Sequence, residues 1–130
     1  MKIMQCWDDG VVNDVPLCEL LRKYDAKATF NVNPGISYQD SRRINPELHH
    51  GKYCLDRLSL DEMKDVYAGF KLGGHTMTHP NLPDVDAETM KRELEENKAI
   101  IAEFFGQEHC GMAYPCGRYS DEVKQAIRDA

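Results

Sequence analysis

The chain has 130 residues, 42% of them hydrophobic and 29% charged, with a formal net charge of −6. That length suits one domain with a core and is too short for two. The acidic balance is spread along the chain and offers no basic face for phosphate, which argues against nucleic acid as a partner, and no apolar run approaches the ~20 residues of a membrane span.

The opening Met1-Lys2-Ile3-Met4-Gln5-Cys6 is too short and too polar for a signal peptide. The expected setting is therefore cytoplasmic as the chain stands, or export with a leader removed. Five cysteines (Cys6, Cys18, Cys54, Cys110 and Cys116) give an odd number without a C-x-x-C pair. Neither a disulfide framework nor a zinc ribbon is indicated, and reduced thiols are expected.

Residues 2–7 form a short, mostly apolar run read as a strand, stopped by the turn signal Asp8-Asp9-Gly10. Asn13 can cap a helix with Pro16 in its first turn, and Leu17, Leu20, Leu21 and Tyr24 follow at helical spacing. Residues 28–32, Ala-Thr-Phe-Asn-Val, read as a second strand ended by Asn33-Pro34-Gly35. Residues 36–56 have no clean period and read as a long loop or insertion facing the substrate. Ser59-Leu60-Asp61-Glu62 is a capping box opening a helix to about residue 68. Residues 70–74 form a third strand. Asp86 is a plausible N-cap for a helix with Met90, Leu94, Asn97, Ile101 and Phe104 on one face, stopped at Gly106. Residues 111–115 read as a fourth strand, and Ser120 caps a last helix with Val123, Ala126 and Ile127 inward.

Strands alternating with helices imply parallel pairing and an α/β fold. In such folds the chemistry gathers at the carboxyl ends of the strands. The four predicted ends are Asp8-Asp9-Gly10, Asn31-Val32-Asn33-Pro34, residues 75–79 and Tyr114-Pro115-Cys116-Gly117. The third carries His75 and His79, four positions apart after a glycine pair and before Pro80. That spacing puts two imidazoles on one side of a turn, close enough to share a metal ion. The Glu of a zincin helix is absent beside the first His, so a metalloprotease reading is poor. Two histidines also make only half a site.

Other polar groups have plainer readings. Asp8-Asp9-Gly10 taken alone is a turn. Adjacent carboxylates fit a glycosidase poorly, because those enzymes hold their carboxyls ~5–9 Å apart across a bond. The Cys116 side chain is expected to be a spectator thiol, His49-His50 solvated loop and His109 structural. Glu93, Glu95 and Glu96 are expected on a solvated helix face.

Together these motifs resemble the polysaccharide deacetylases, the NodB-homology or carbohydrate esterase family 4 enzymes. Cys6-Trp7-Asp8-Asp9-Gly10 is similar to their first motif, T-F-D-D-G, and Ala28-Thr29-Phe30-Asn31-Val32 to the A-T-F-F-V strand after it. His75-Thr76-Met77-Thr78-His79 matches the second motif, H-[ST]-x-x-H, and Ala113-Tyr114-Pro115-Cys116-Gly117 resembles the third, R-x-P-x-G, without its Arg.

The resemblance implies Asp9 as third metal ligand beside His75 and His79, with Zn²⁺ the expected ion and Co²⁺ or Ni²⁺ also suited to the donors. It implies Asp8 as general base and the backbone N–H of Cys116 as oxyanion donor, with Tyr114, Pro115 and Gly117 on the substrate side. The substrate class would be an N- or O-acetylated carbohydrate. The motif's Arg normally braces the catalytic Asp; here Ala113 stands in its place, which leaves Arg118 or another basic group to replace it. The expected fold is a distorted (β/α) barrel, and four β-α units make only part of one, so residues 1–130 read as a single domain of this type truncated at its C-terminal side. The general-acid His of the family lies in the part not covered. A second reading is a non-catalytic metal- or carbohydrate-binding half-barrel, with a homodimer as one way to complete it.

Overall fold

The computed structural model describes residues 3–37, 56–108 and 111–130. Three parallel strands, β1 (Cys6–Asp8), β2 (Thr29–Val32) and β3 (Lys71–Gly74), lie side by side in the order β1-β2-β3. Helices α1 (Asp14–Lys23), α2 (Leu60–Val66), α3 (Ala87–Glu103) and α4 (Asp121–Asp129) connect and flank them. This is the expected α/β architecture, a portion of a (β/α) barrel. No helix among the described residues is long and apolar enough to cross a membrane.

The expected fourth strand is reduced to one parallel bridge between Gly74 and Met112. Gly74 donates to the Gly111 carbonyl at 2.8 Å and Ala113 donates to the Gly74 carbonyl at 2.9 Å. The ladder stops there because Pro115 has no N–H to extend it, and a 3₁₀ turn forms over Pro115–Gly117. The first strand also shifts: it begins at Cys6 and takes in Asp8.

Register decides which side chains meet. Asp8 pairs with Asn31 and Asn31 with Gly73, while Trp7 pairs with Phe30 and Phe30 with Leu72. Residues in register share a face of the sheet. Phe30 and Leu72 face the main core, where Phe30 stacks on Tyr67 at 4.5 Å between ring centres and meets Phe70 edge-on at 5.4 Å. Met63, Leu58, Cys18 and Leu21 close this core from α1, α2 and the segment before α2. A second cluster, Leu82, Met90, Leu94 and Val123, joins α3 to α4.

The caps at Ser59, Asp86 and Ser120 form as expected, with Ser59 and Glu62 completing a capping box. Helix α1 differs. Its buried face is Asp14, Cys18 and Leu21, whereas Leu20 and Tyr24 are exposed and Asn13 makes no side-chain capping bond. The buried polar residue sets the phase: the Tyr67 hydroxyl donates to Asp14 Oδ2 at 2.5 Å. Burial pushes the Asp14 carboxyl up to about 6, against the pull of that hydrogen bond. Burial likewise pushes the Cys18 thiol up to about 11. Cys6, Cys18 and Cys116 are free thiols, as expected. Cys54, Cys110, His49, His50, His109 and nearly all of the expected 36–56 loop lie outside the described residues.

Candidate active site

The loop after β1 turns sharply at Asp9 and Gly10, both with left-handed backbone (φ 81° and 64°). At Gly10 the left-handed φ is what favours glycine; a Cβ there would also meet the flexible end of the Met63 side chain at 2.3 Å. Asp9, a non-glycine residue, carries local strain on the order of 1–3 kcal/mol that the surrounding contacts must offset. Arg57 contributes to that: its Nη1 donates to the Asp9 carbonyl and its Nη2 lies 3.4 Å from Asp9 Oδ1.

The loop after β3 presents the two histidines. His75 is buried, and its Nδ1 lies 2.9 Å from the Ala113 carbonyl. A carbonyl can only accept, so Nδ1 is the donor here and Nε2 is the ring nitrogen turned to Asp9. The hydroxyl of Thr76 donates to the His75 carbonyl at 2.6 Å and accepts from the His79 N–H at 3.1 Å. Thr76 and His79 are themselves left-handed (φ 65° and 60°). This tight turn brings the imidazole centres to 4.8 Å.

Asp9 Oδ1 lies 3.8 Å from His75 Nε2 and 3.6 Å from His79 Nε2, and all three ligand atoms fall within 4.8 Å of one another. Ligands ~2.1 Å from a tetrahedral ion lie roughly 3.4 Å apart, so a small contraction would close this set on a divalent metal. Two imidazoles and one carboxylate fit such an ion in chemistry as well as in spacing. Burial holds His79 below the ordinary histidine range despite the opposing pull of Asp9, which favours the neutral, ligating form.

Residues that the sequence reading passed over hold this arrangement in place. Glu93 is buried rather than solvated, unlike Glu95 and Glu96 on the same helix. It accepts from the Thr78 N–H and hydroxyl. Its position three residues after Met90 puts it on the same face as Leu94, Asn97 and Ile101, a signal the charge run concealed. Asn97 donates to the carbonyls of Val32 and Thr76 at 2.9 and 2.8 Å. Asn33 donates to the carbonyls of His75 and Thr76.

Asp8, at the end of β1, receives a hydrogen bond on Oδ1 from Asn31 Nδ2 at 2.7 Å. Arg118 does not reach it. That side chain is exposed and pairs with Asp84 at 3.3 Å. In the third-motif loop Pro115 is buried, Gly117 is left-handed (φ 65°) and Cys116 is exposed with φ 55°. Tyr114 packs on the second core cluster, its ring centre 5.3 Å from that of Tyr119. The loop is tied to the histidines through the Ala113 carbonyl that accepts from His75.

The histidines, the paired carboxylates and the proline turn thus gather at the carboxyl edge of a parallel sheet, where the polysaccharide deacetylase motifs are expected. The family model for polysaccharide deacetylase matches residues 1–130, and the chain belongs to that family. It is 25% identical over 127 residues to the Bacillus subtilis (strain 168) protein YxkH, covering 95% of this chain and 40% of that one. The Streptococcus pyogenes deacetylase PplD, solved in complex with acetate, superposes with a TM-score of 0.76 at 28% identity, over 95% of this chain and 50% of PplD. A family 4 carbohydrate esterase from Streptomyces lividans shares the fold with a TM-score of 0.70 at 20% identity, over 98% of this chain and 57% of that one. The chain thus spans about half the length of these relatives.

Proposed function

We propose that the chain is the metal-bearing part of a hydrolase that removes N- or O-acetyl groups from a carbohydrate. The observation that carries this reading is the convergence of Asp9 Oδ1 with the Nε2 atoms of His75 and His79, with Asp8 beside them on the strand end. Residues 1–130 read as one domain of this family.

Asp9, His75 and His79 would hold a divalent ion, Zn²⁺ first and Co²⁺ or Ni²⁺ as alternatives. Such an ion supplies Lewis acidity that activates water and polarises a carbonyl. Asp8 takes the proton of the attacking water as general base, and its carboxylate accepts a hydrogen bond from Asn31. The Cys116 N–H, on a loop tied to the histidines, donates to the oxygen on which negative charge builds. Tyr114, Pro115 and Gly117 border the acetyl-bearing sugar.

The test measures bound metal per chain and acetate released from acetylated chito-oligosaccharides and acetylxylan. Release that a chelator stops, and that Asp8→Asn lowers by about 100-fold or more, supports the reading. A chain that binds no ion through Asp9, His75 and His79 sinks it. Metal binding without acetate release supports a binding module instead.

A further inference from the structure

We infer that Asn31 is the positioning residue for Asp8, taking the place of the arginine absent at Ala113; this role rests on the reading of Asp8 as the base. Asp8, Asn31 and Gly73 are register partners on β1, β2 and β3, so they form one row across the sheet on a single face. In that row Asn31 Nδ2 reaches Asp8 Oδ1 at 2.7 Å. The amide has little room to do anything else. It is 5% exposed, and a Cβ on Gly73 would stand 2.2 Å from Asn31 Oδ1. The glycine opens the space that the amide fills, and the amide fills it with its donor end against the carboxylate. Only the NH₂ end of an asparagine can donate to a carboxylate, so the hydrogen bond also fixes which way the amide points.

The cationic side chains nearby are engaged elsewhere. Arg57 pairs with Asp9 and Arg118 with Asp84, and among the described residues no ion pair reaches Asp8. A neutral amide therefore does the orienting. It holds the carboxylate by Oδ1.

The test uses the metal-loaded chain with Asn31→Leu, which keeps the side-chain volume and removes the donor. The expected result is a kcat lower by about 10–100-fold, with KM and zinc affinity within about two-fold of the parent. Adding Ala113→Arg to Asn31→Ala is expected to restore most of the kcat that Asn31→Ala loses. A kcat that Asn31→Leu leaves unchanged, or a parallel fall in zinc affinity, overturns the role. A readout independent of turnover is the side-chain amide signal of Asn31 in the ¹⁵N-labelled chain. Its donated proton is expected to shift upfield in Asp8→Ala, and a signal that does not respond overturns the bond itself. A parent chain that releases no acetate sinks the deacetylase reading, and the catalytic role with it, while the amide signal still decides whether Asn31 holds Asp8.

Discussion

Glu93 accepts two hydrogen bonds from Thr78, one from its N–H at 2.8 Å and one from its hydroxyl at 2.6 Å. A carboxylate on α3 thereby anchors the residue next to His79. Glu93→Ala leaves both Thr78 donors without that acceptor, and the expected cost is about 1–3 kcal/mol of folding stability, read from urea unfolding. Zinc affinity, measured by chelator competition, is expected to fall about 10-fold or more as the His79 turn loosens. Glu96→Ala, on the exposed face of the same helix, is expected to change neither.

The row across the sheet makes a second prediction. Gly73→Ala puts a methyl 2.2 Å from the Asn31 side-chain oxygen, with the Gly111 carbonyl oxygen 3.0 Å away on another side. Neither neighbour yields cheaply. The expected loss is about 1–3 kcal/mol, checked by the urea midpoint, together with lower acetate release because Asn31 must move off Asp8.

Asp14 sets a pH dependence. Its folded-state pKa of about 6 lies above the ordinary 3.8, so the fold favours the protonated form. The stability from that preference is fully present below roughly pH 4 and is lost as pH rises through about 6. At about 1.4 kcal/mol per unit the whole effect is on the order of 1–3 kcal/mol. Asp14→Asn stays neutral throughout. Its unfolding free energy relative to the parent is therefore expected to rise between about pH 4 and pH 7, with no such rise at lower pH. A parent and variant that run parallel across this range would contradict the assignment.

Cys116 offers a contrast with Asp9 and His79. All three are left-handed, but in the proposed chemistry only the backbone of Cys116 is used. Cys116→Gly keeps that N–H and removes about 1–2 kcal/mol of steric cost, partly offset by the looser unfolded chain. The expected outcome is a higher melting temperature with acetate release preserved.

Much of this was legible in the sequence for physical reasons. The caps at Ser59, Asp86 and Ser120 are local signals, decided within four residues, and they form as read. The histidine pair was legible from its spacing, and Asp9 from the resemblance of its motif. The errors share another cause. Leu20 and Tyr24 look like an inward stripe, but the buried face of α1 is set by Asp14 and its bond to Tyr67, 53 residues away in the chain. Glu93 looks like part of a solvated run until Thr78 is brought against it. Asn31 looks like one polar residue in an apolar strand. Its role depends on register with Asp8 and Gly73, which no local pattern encodes. The strand over residues 111–115 has the composition for pairing, but Pro115 cannot extend a ladder.

Trp7 is the only tryptophan in the chain, and it stands half-exposed on β1 immediately before Asp8. The molecule consequently carries its own optical probe at the strand that leads into Asp9, one of the proposed metal ligands. Its indole emission comes from this single place, so a titration with zinc, or the seating of a sugar over the strand end, can be followed on the unlabelled protein. The same signal separates a change at β1 from events at the α3–α4 cluster, which holds no indole to report them.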